Sequence, residues 1–135
     1  MILSGRWRIM ETELWDSDSL NLVAPAFIEF GEDGLGSFGF IAVQGELDCY
    51  EVVREDRPGV EFTWEGNDEC DPASGRGWAV LEEDGSLRGR IFFHHGNDSG
   101  FTAVRWGGPV GVRVRALAAE PGRRSAHRFH DRKGK

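Results

Sequence analysis

The chain has 135 residues, 39% of them hydrophobic, which suits one domain with one core and no stabilising metal. Its formal charge of −7 is unevenly divided: residues 1–107 hold 21 acids against 8 arginines and no lysine, a balance of −13, while residues 108–135 hold 8 basic residues against 2 acids, a balance of +6. An acidic body repels phosphate and argues against nucleic acid as a partner. No stretch approaches the roughly 18 apolar residues of a membrane span, and Arg6, Trp7 and Arg8 interrupt any leader-like apolar run, so a cytoplasmic protein that does not engage a membrane is expected.

The first strand is read over Ser4–Met10, with Trp7 and Ile9 on one face and Arg6 and Arg8 on the other. The connection Glu11–Ala24 follows, and its Leu14, Trp15, Leu20 and Leu22 suit either a short helix over one barrel end or an anchored loop. Ala26–Phe30 and Ser37–Val43 are the next strands, with Ile28, Phe30, Phe38 and Phe40 facing one way. Glu46–Val53 has no clear polar side. Val60–Glu65 alternates strictly, Val60, Phe62 and Trp64 against Glu61, Thr63 and Glu65. Gly77–Leu81, Ser86–Phe93 and Phe101–Trp106 complete the set, with Phe101, Ala103 and Arg105 sharing a face.

Glu32-Asp33-Gly34, Arg57-Pro58-Gly59, Asn67–Gly75, Glu83-Asp84-Gly85 and Asn97–Gly100 carry turn chemistry between these runs. Connections this short favour antiparallel neighbours. The expected fold is therefore all-β, an antiparallel up-and-down meander of about eight strands rolled into a small barrel over residues 1–107. Residues 108–135 form a basic extension: one edge strand over Val110–Val114 is possible, and beyond it the composition favours a flexible, disordered tail.

Gly5-x-Trp7 on the first strand, with Arg105 on the last, resembles the signature of the calycin superfamily, the lipocalin-like and streptavidin-like barrels. The resemblance implies structural closure: Gly5 turns the chain into the barrel, Trp7 plugs one end, and Arg105 packs over the indole. The run from Trp64 through Asn67-Asp68-Glu69 and Ser74-Gly75-Arg76-Gly77-Trp78 to His95 also resembles a family of small uncharacterised bacterial proteins, a likeness that brings no function with it.

Nine aromatics, Trp7, Phe30, Phe38, Phe40, Phe62, Trp64, Trp78, Phe93 and Phe101, are assigned to the interior. At roughly 150–250 Å² each they favour a filled barrel, with a small aromatic-walled pocket at one rim as the alternative. The polar stretch Asn67–Arg76 reads as the longest loop. Its Asp68, Glu69 and Asp71 supply oxygen ligands but lack calcium-loop spacing, so no metal and no cofactor is assigned, and turn hydrogen bonds with an Arg76 ion pair are expected instead. His94 and His95 point to opposite faces, and only one of them can meet Asp98. Cys49 and Cys70 lack zinc spacing and are expected as reduced thiols.

The leading expectation is a noncatalytic binding module whose small-molecule ligand sits at the barrel rim near Trp64, Trp78 and His95, with Asp68, Glu69, Asp71 and Arg76 close by. The alternative is a protein-interaction module of inhibitor or immunity type, using its acidic surface on a basic protein partner. A third class, a hydrolase-like enzyme, needs the rim histidine and the carboxylate loop in one pocket. Monomer and homodimer both remain open.

Overall fold

A computed structural model describes residues 1–107. Eight strands, β1 (Gly5–Thr12), β2 (Phe27–Phe30), β3 (Leu35–Phe40), β4 (Val43–Arg54), β5 (Arg57–Asp68), β6 (Asp71–Leu81), β7 (Leu87–Phe93) and β8 (Asp98–Arg105), follow one another around a closed antiparallel barrel in which β8 pairs with β1. Closure gives every strand a paired neighbour on both sides. The expected edge strand over Val110–Val114 and the tail beyond it lie outside the described residues. No helix among the described residues is long and apolar enough to cross a membrane.

Inward rows follow the alternation read from sequence. Trp7, Ile28, Phe38, Leu47, Phe62, Trp64, Phe93 and Phe101 are all buried. The ambiguous fourth strand resolves with Val43, Leu47 and Cys49 inside and Gln44, Glu46, Asp48 and Tyr50 outside. Ring follows ring across the interior: Phe38 to Trp64 at 4.9 Å, Trp64 to Phe93 at 5.1 Å, and Phe38 to Phe40 at 5.3 Å between centroids.

Glycines opposite these rings make the packing possible. A Cβ on Gly77 would stand 2.4 Å from Phe62 Cζ, and one on Gly89 would stand 2.6 Å from the Phe101 ring, well inside van der Waals contact. The rings therefore lie against bare backbone. The interior is filled by side chains rather than hollow.

Four expectations are corrected. Asn97–Gly100 is not the β7–β8 turn, because Asp98, Ser99 and Gly100 already pair with Phe92, Ile91 and Arg90 as the start of β8. Trp78 is not an interior aromatic, because the inward row of β6 is Gly75, Gly77 and Ala79, paired to Trp64, Phe62 and Val60, and strand alternation sends Trp78 to the outer wall. There Arg54 and Arg88 flank its ring at 3.9 and 5.3 Å. Asn67–Arg76 is not a loop: β5 and β6 pair from Gly59↔Val80 to Asp68↔Asp71, leaving only Glu69-Cys70 as the turn. The β4–β5 turn is Glu55-Asp56 rather than Arg57-Pro58-Gly59, since Arg54 pairs with Arg57 and both turn residues take φ near +60°, as a two-residue primed hairpin requires.

The long connection holds a single helical turn, α1 (Ser17–Leu20), capped by the Asp16 carboxylate, which accepts from Ser19 N at 2.8 Å. Leu20 is fully buried, Ile41 N donates to Leu20 O at 2.8 Å, and Trp15 packs on Phe40 at 5.3 Å. This connection covers one end of the barrel.

Candidate functional site

The opposite end is closed by the residues of the Gly5-x-Trp7 motif. Trp7 is fully buried, and its Nε1 donates to Leu3 O at 2.9 Å. Arg105, its cross-strand partner, lies 4.2 Å above the ring and donates to Ser4 O at 2.5 Å and Ile2 O at 2.9 Å. Gly5 has φ +117°, and a Cβ there would stand 3.0 Å from Arg105 Nη1. Gly5, Trp7 and Arg105 thus form one unit that ties the N-terminal segment across the barrel mouth.

The residues assigned to a rim site do not form one. Trp64 is inside the barrel, its Nε1 donating to Phe92 O at 3.1 Å, whereas Trp78 is outside. His95 is exposed in the β7–β8 turn with φ +58°, its ring 4.0 Å from that of His94. Asp68 is buried at the end of β5, Glu69 and Cys70 form the exposed turn, and Asp71 begins β6. Arg76 lies five residues beyond Asp71, roughly 17 Å along a strand, and stacks on Phe92 at 4.0 Å. The expected Arg76–carboxylate pair is therefore replaced by a cation–ring contact. Asp98 is bound by Arg90 at 2.5 Å rather than by a histidine.

What the barrel offers instead is a run of shallow grooves on its outer wall. One of about 400 Å³ is lined by Thr63, Ser74, Gly75, Arg76, Phe92, Phe93 and His94. A second, about 570 Å³, shares Ser74 and His94 with it and adds Glu46 and Glu65; a third, about 360 Å³, continues from Glu46 and Glu65 to Gln44, Asn67 and Phe27. None of the three is lined by His95, Asp68, Glu69 or Asp71. Among the described residues no cluster of three His, Cys, Asp or Glu side chains could hold a metal ion.

Two features of this wall escaped sequence reading. Glu46 and Glu65 are direct cross-strand partners, a like-charge opposition that weakens a sheet. Their facing follows from the Glu55-Asp56 turn, because a two-residue hairpin closed by Arg54↔Arg57 carries the register back to them. Arg90, on the outward row of β7, is buried between Glu13 and Asp98 on the outer wall. The sequence signal for that cluster was weak, since Glu13 comes from the irregular connection after β1.

The cysteines differ sharply. Both are free; Cys49 is buried and Cys70 is exposed at the hairpin tip. Burial first, then the nearby Asp48 and Asp33 carboxylates, push the Cys49 thiol from 9.0 up to about 11. At pH 8 an alkylating reagent is expected to modify Cys70 alone, with Cys49 reacting only after denaturation, as counted by intact mass. Because the folded state holds the Cys49 proton more tightly than the unfolded chain, this thiol favours folding below about pH 9, and that contribution is lost as pH rises toward 11.

No protein-family model matches the chain, and no curated protein matches it.

Proposed function

We propose that the barrel is a noncatalytic binding module that takes a small polar ligand in the outer groove of β5, β6 and β7 rather than in its interior. One observation carries this reading: Arg76 is fixed over Phe92 at 4.0 Å beside the His94 ring and the Ser74 and Thr63 hydroxyls of one groove. No salt bridge joins it to a carboxylate of the described residues. A guanidinium so placed suits a ligand carboxylate or phosphate, with a planar ligand portion stacking on the same surface. The filled interior supports the outer location. The union of Gly5, Trp7 and Arg105 supports kinship with calycin-like barrels, whose closure it resembles.

Titration of the full chain with a panel of small carboxylates and phosphates tests the proposal, read by tryptophan fluorescence, since Trp64 contacts the Phe92 backbone directly beneath the groove. Arg76→Ala is expected to weaken binding roughly ten- to a hundredfold, the value of a charged hydrogen bond of about 1.5–3 kcal/mol, with little change in stability. Equal affinity in wild type and Arg76→Ala, or no response across the panel, would count against it.

A second reading is favoured by a different surface. Glu46 and Glu65 make no hydrogen bond or ion pair among the described residues, and with Asp48 and Glu61 they give the outer face of β4 and β5 four exposed carboxylates beside Tyr50, itself 61% exposed. Such a face suits a basic protein partner, with binding that weakens steeply as salt rises. Hydrolysis finds less support, because His95 and the Asp68–Asp71 carboxylates sit on separate hairpins and share none of the three grooves.

A further inference from the structure

Among the described residues, the outer face of β4 and β5 sets a single cation, Arg54, against four carboxylates. Arg6, Arg54, Arg57, Arg88 and Arg90 each bridge a carboxylate: Glu29, Glu61, Glu82 with Glu83, Glu55 with Glu82, and Glu13 with Asp98. Arg8, Arg76 and Arg105 lie over the rings of Trp106, Phe92 and Trp7. No lysine precedes residue 108, and none of these three arginines bridges a carboxylate of the β4–β5 face. Of the four face carboxylates only Glu61 has a cation among the described residues, Arg54 at 3.6 Å.

We propose that the basic segment 108–135 of the same chain docks on this face, placing its arginines and lysines against Glu46, Asp48, Glu61 and Glu65. The inference rests on the acidic-face reading and names its occupant. Three observations favour that occupant over a foreign one. Charge is complementary, +6 in the segment against −13 in the body. A cation seated between Glu46 and Glu65 relieves the opposition of two like charges. Reach is ample: β8 lies three strands from β5, about 15 Å around the wall, and the 16 residues from Gly107 to Arg123 extend to on the order of 50 Å. Tethering adds an effective concentration that a free partner has to exceed.

The chain supplies its own probe, because Lys133 and Lys135 are its only lysines. A carbodiimide joins an amine to a carboxylate only when the two are in contact. In the full chain at low salt, peptide mapping is expected to find Lys133 and Lys135 joined within one molecule to Glu46, Asp48, Glu61 or Glu65. The yield should be independent of protein concentration and lost at 1 M salt, where the Debye length is about 3 Å. It should also be lost in Glu46→Gln/Asp48→Asn/Glu65→Gln, whose fold is checked by circular dichroism. Links that scatter evenly over Glu69, Asp71 and Glu83, links that appear only between two molecules, or no links at all would overturn the proposal. Added oligolysine separates this failure from that of the face itself. If it binds the full chain and not the neutralised variant, the acidic-face reading stands without the segment as occupant; if it binds neither, both fall.

Discussion

Replacing Arg90 with methionine is expected to destabilise the barrel by about 3–5 kcal/mol, the cost of removing one partner from a buried ion cluster. The guanidinium is 5% exposed and sits between Asp98, at 2.5 Å and 10% exposed, and Glu13, 17% exposed. Glu13 Oε1 also accepts Gly100 N at 3.0 Å, so the cluster ties the segment after β1 to β7 and β8. Without the cation two carboxylates share a poorly solvated wall. Lysine is a poor substitute, because one ammonium cannot present the planar fork that serves both acids. Neutralising all three, Arg90→Met with Glu13→Gln and Asp98→Asn, is expected to recover most of the loss. Urea unfolding at constant m-value checks the series, and a loss below about 1 kcal/mol for Arg90→Met would show that the cluster is solvated and weak.

The fold was legible because the strands obey a period of two over long stretches. Val60, Phe62 and Trp64 against Glu61, Thr63 and Glu65 announced an inward and an outward face, and the barrel keeps both. Strand ends were less legible. Glu55-Asp56 forms a primed turn without the glycine or asparagine that usually marks one, so the neighbouring Pro58-Gly59 attracted the assignment. Ala73, Ser74 and Gly75 look like loop residues, yet they continue β6, paired to Gly66, Glu65 and Trp64, and a Cβ at Gly75 would stand 2.8 Å from the Trp64 ring nitrogen. Small residues inside a strand and small residues in a turn have the same composition and different physical causes.

The candidate site was legible only residue by residue. Arg76 was singled out, but its partner is the Phe92 ring two strand positions beyond Arg90, a pairing that depends on the β6–β7 register. His95 drew attention where His94 lines the grooves. Trp64 and Trp78 both looked available for a ligand, and alternation places one within the barrel and the other on its wall. Glu65 was read on a polar face, and Glu46 opened a strand with no clear polar side; that they face one another is set by a hairpin whose turn lies nine residues away from each. Side-chain type survives in the sequence, whereas cross-strand adjacency is created by register.

The closure at the Trp7 end gives the second large expected effect. Trp7→Ala is expected to cost about 3–5 kcal/mol, the usual range for truncating a buried aromatic, a large share of the roughly 5–15 kcal/mol that holds a domain folded. Arg105→Met should cost less, about 0.5–2 kcal/mol, since the guanidinium is exposed, its cation–π contribution is modest and solvent can replace it at the Ser4 and Ile2 carbonyls. The decisive quantity is the coupling. If Arg105 acts by covering the indole, then once Trp7 is alanine the Arg105→Met change should cost almost nothing further, leaving a double-mutant coupling of about 0.5–2 kcal/mol. Strict additivity in urea midpoints would mean that Arg105 stabilises the barrel only by tying down the Ile2 and Ser4 backbone, and the tryptophan lid would then be sealed without it.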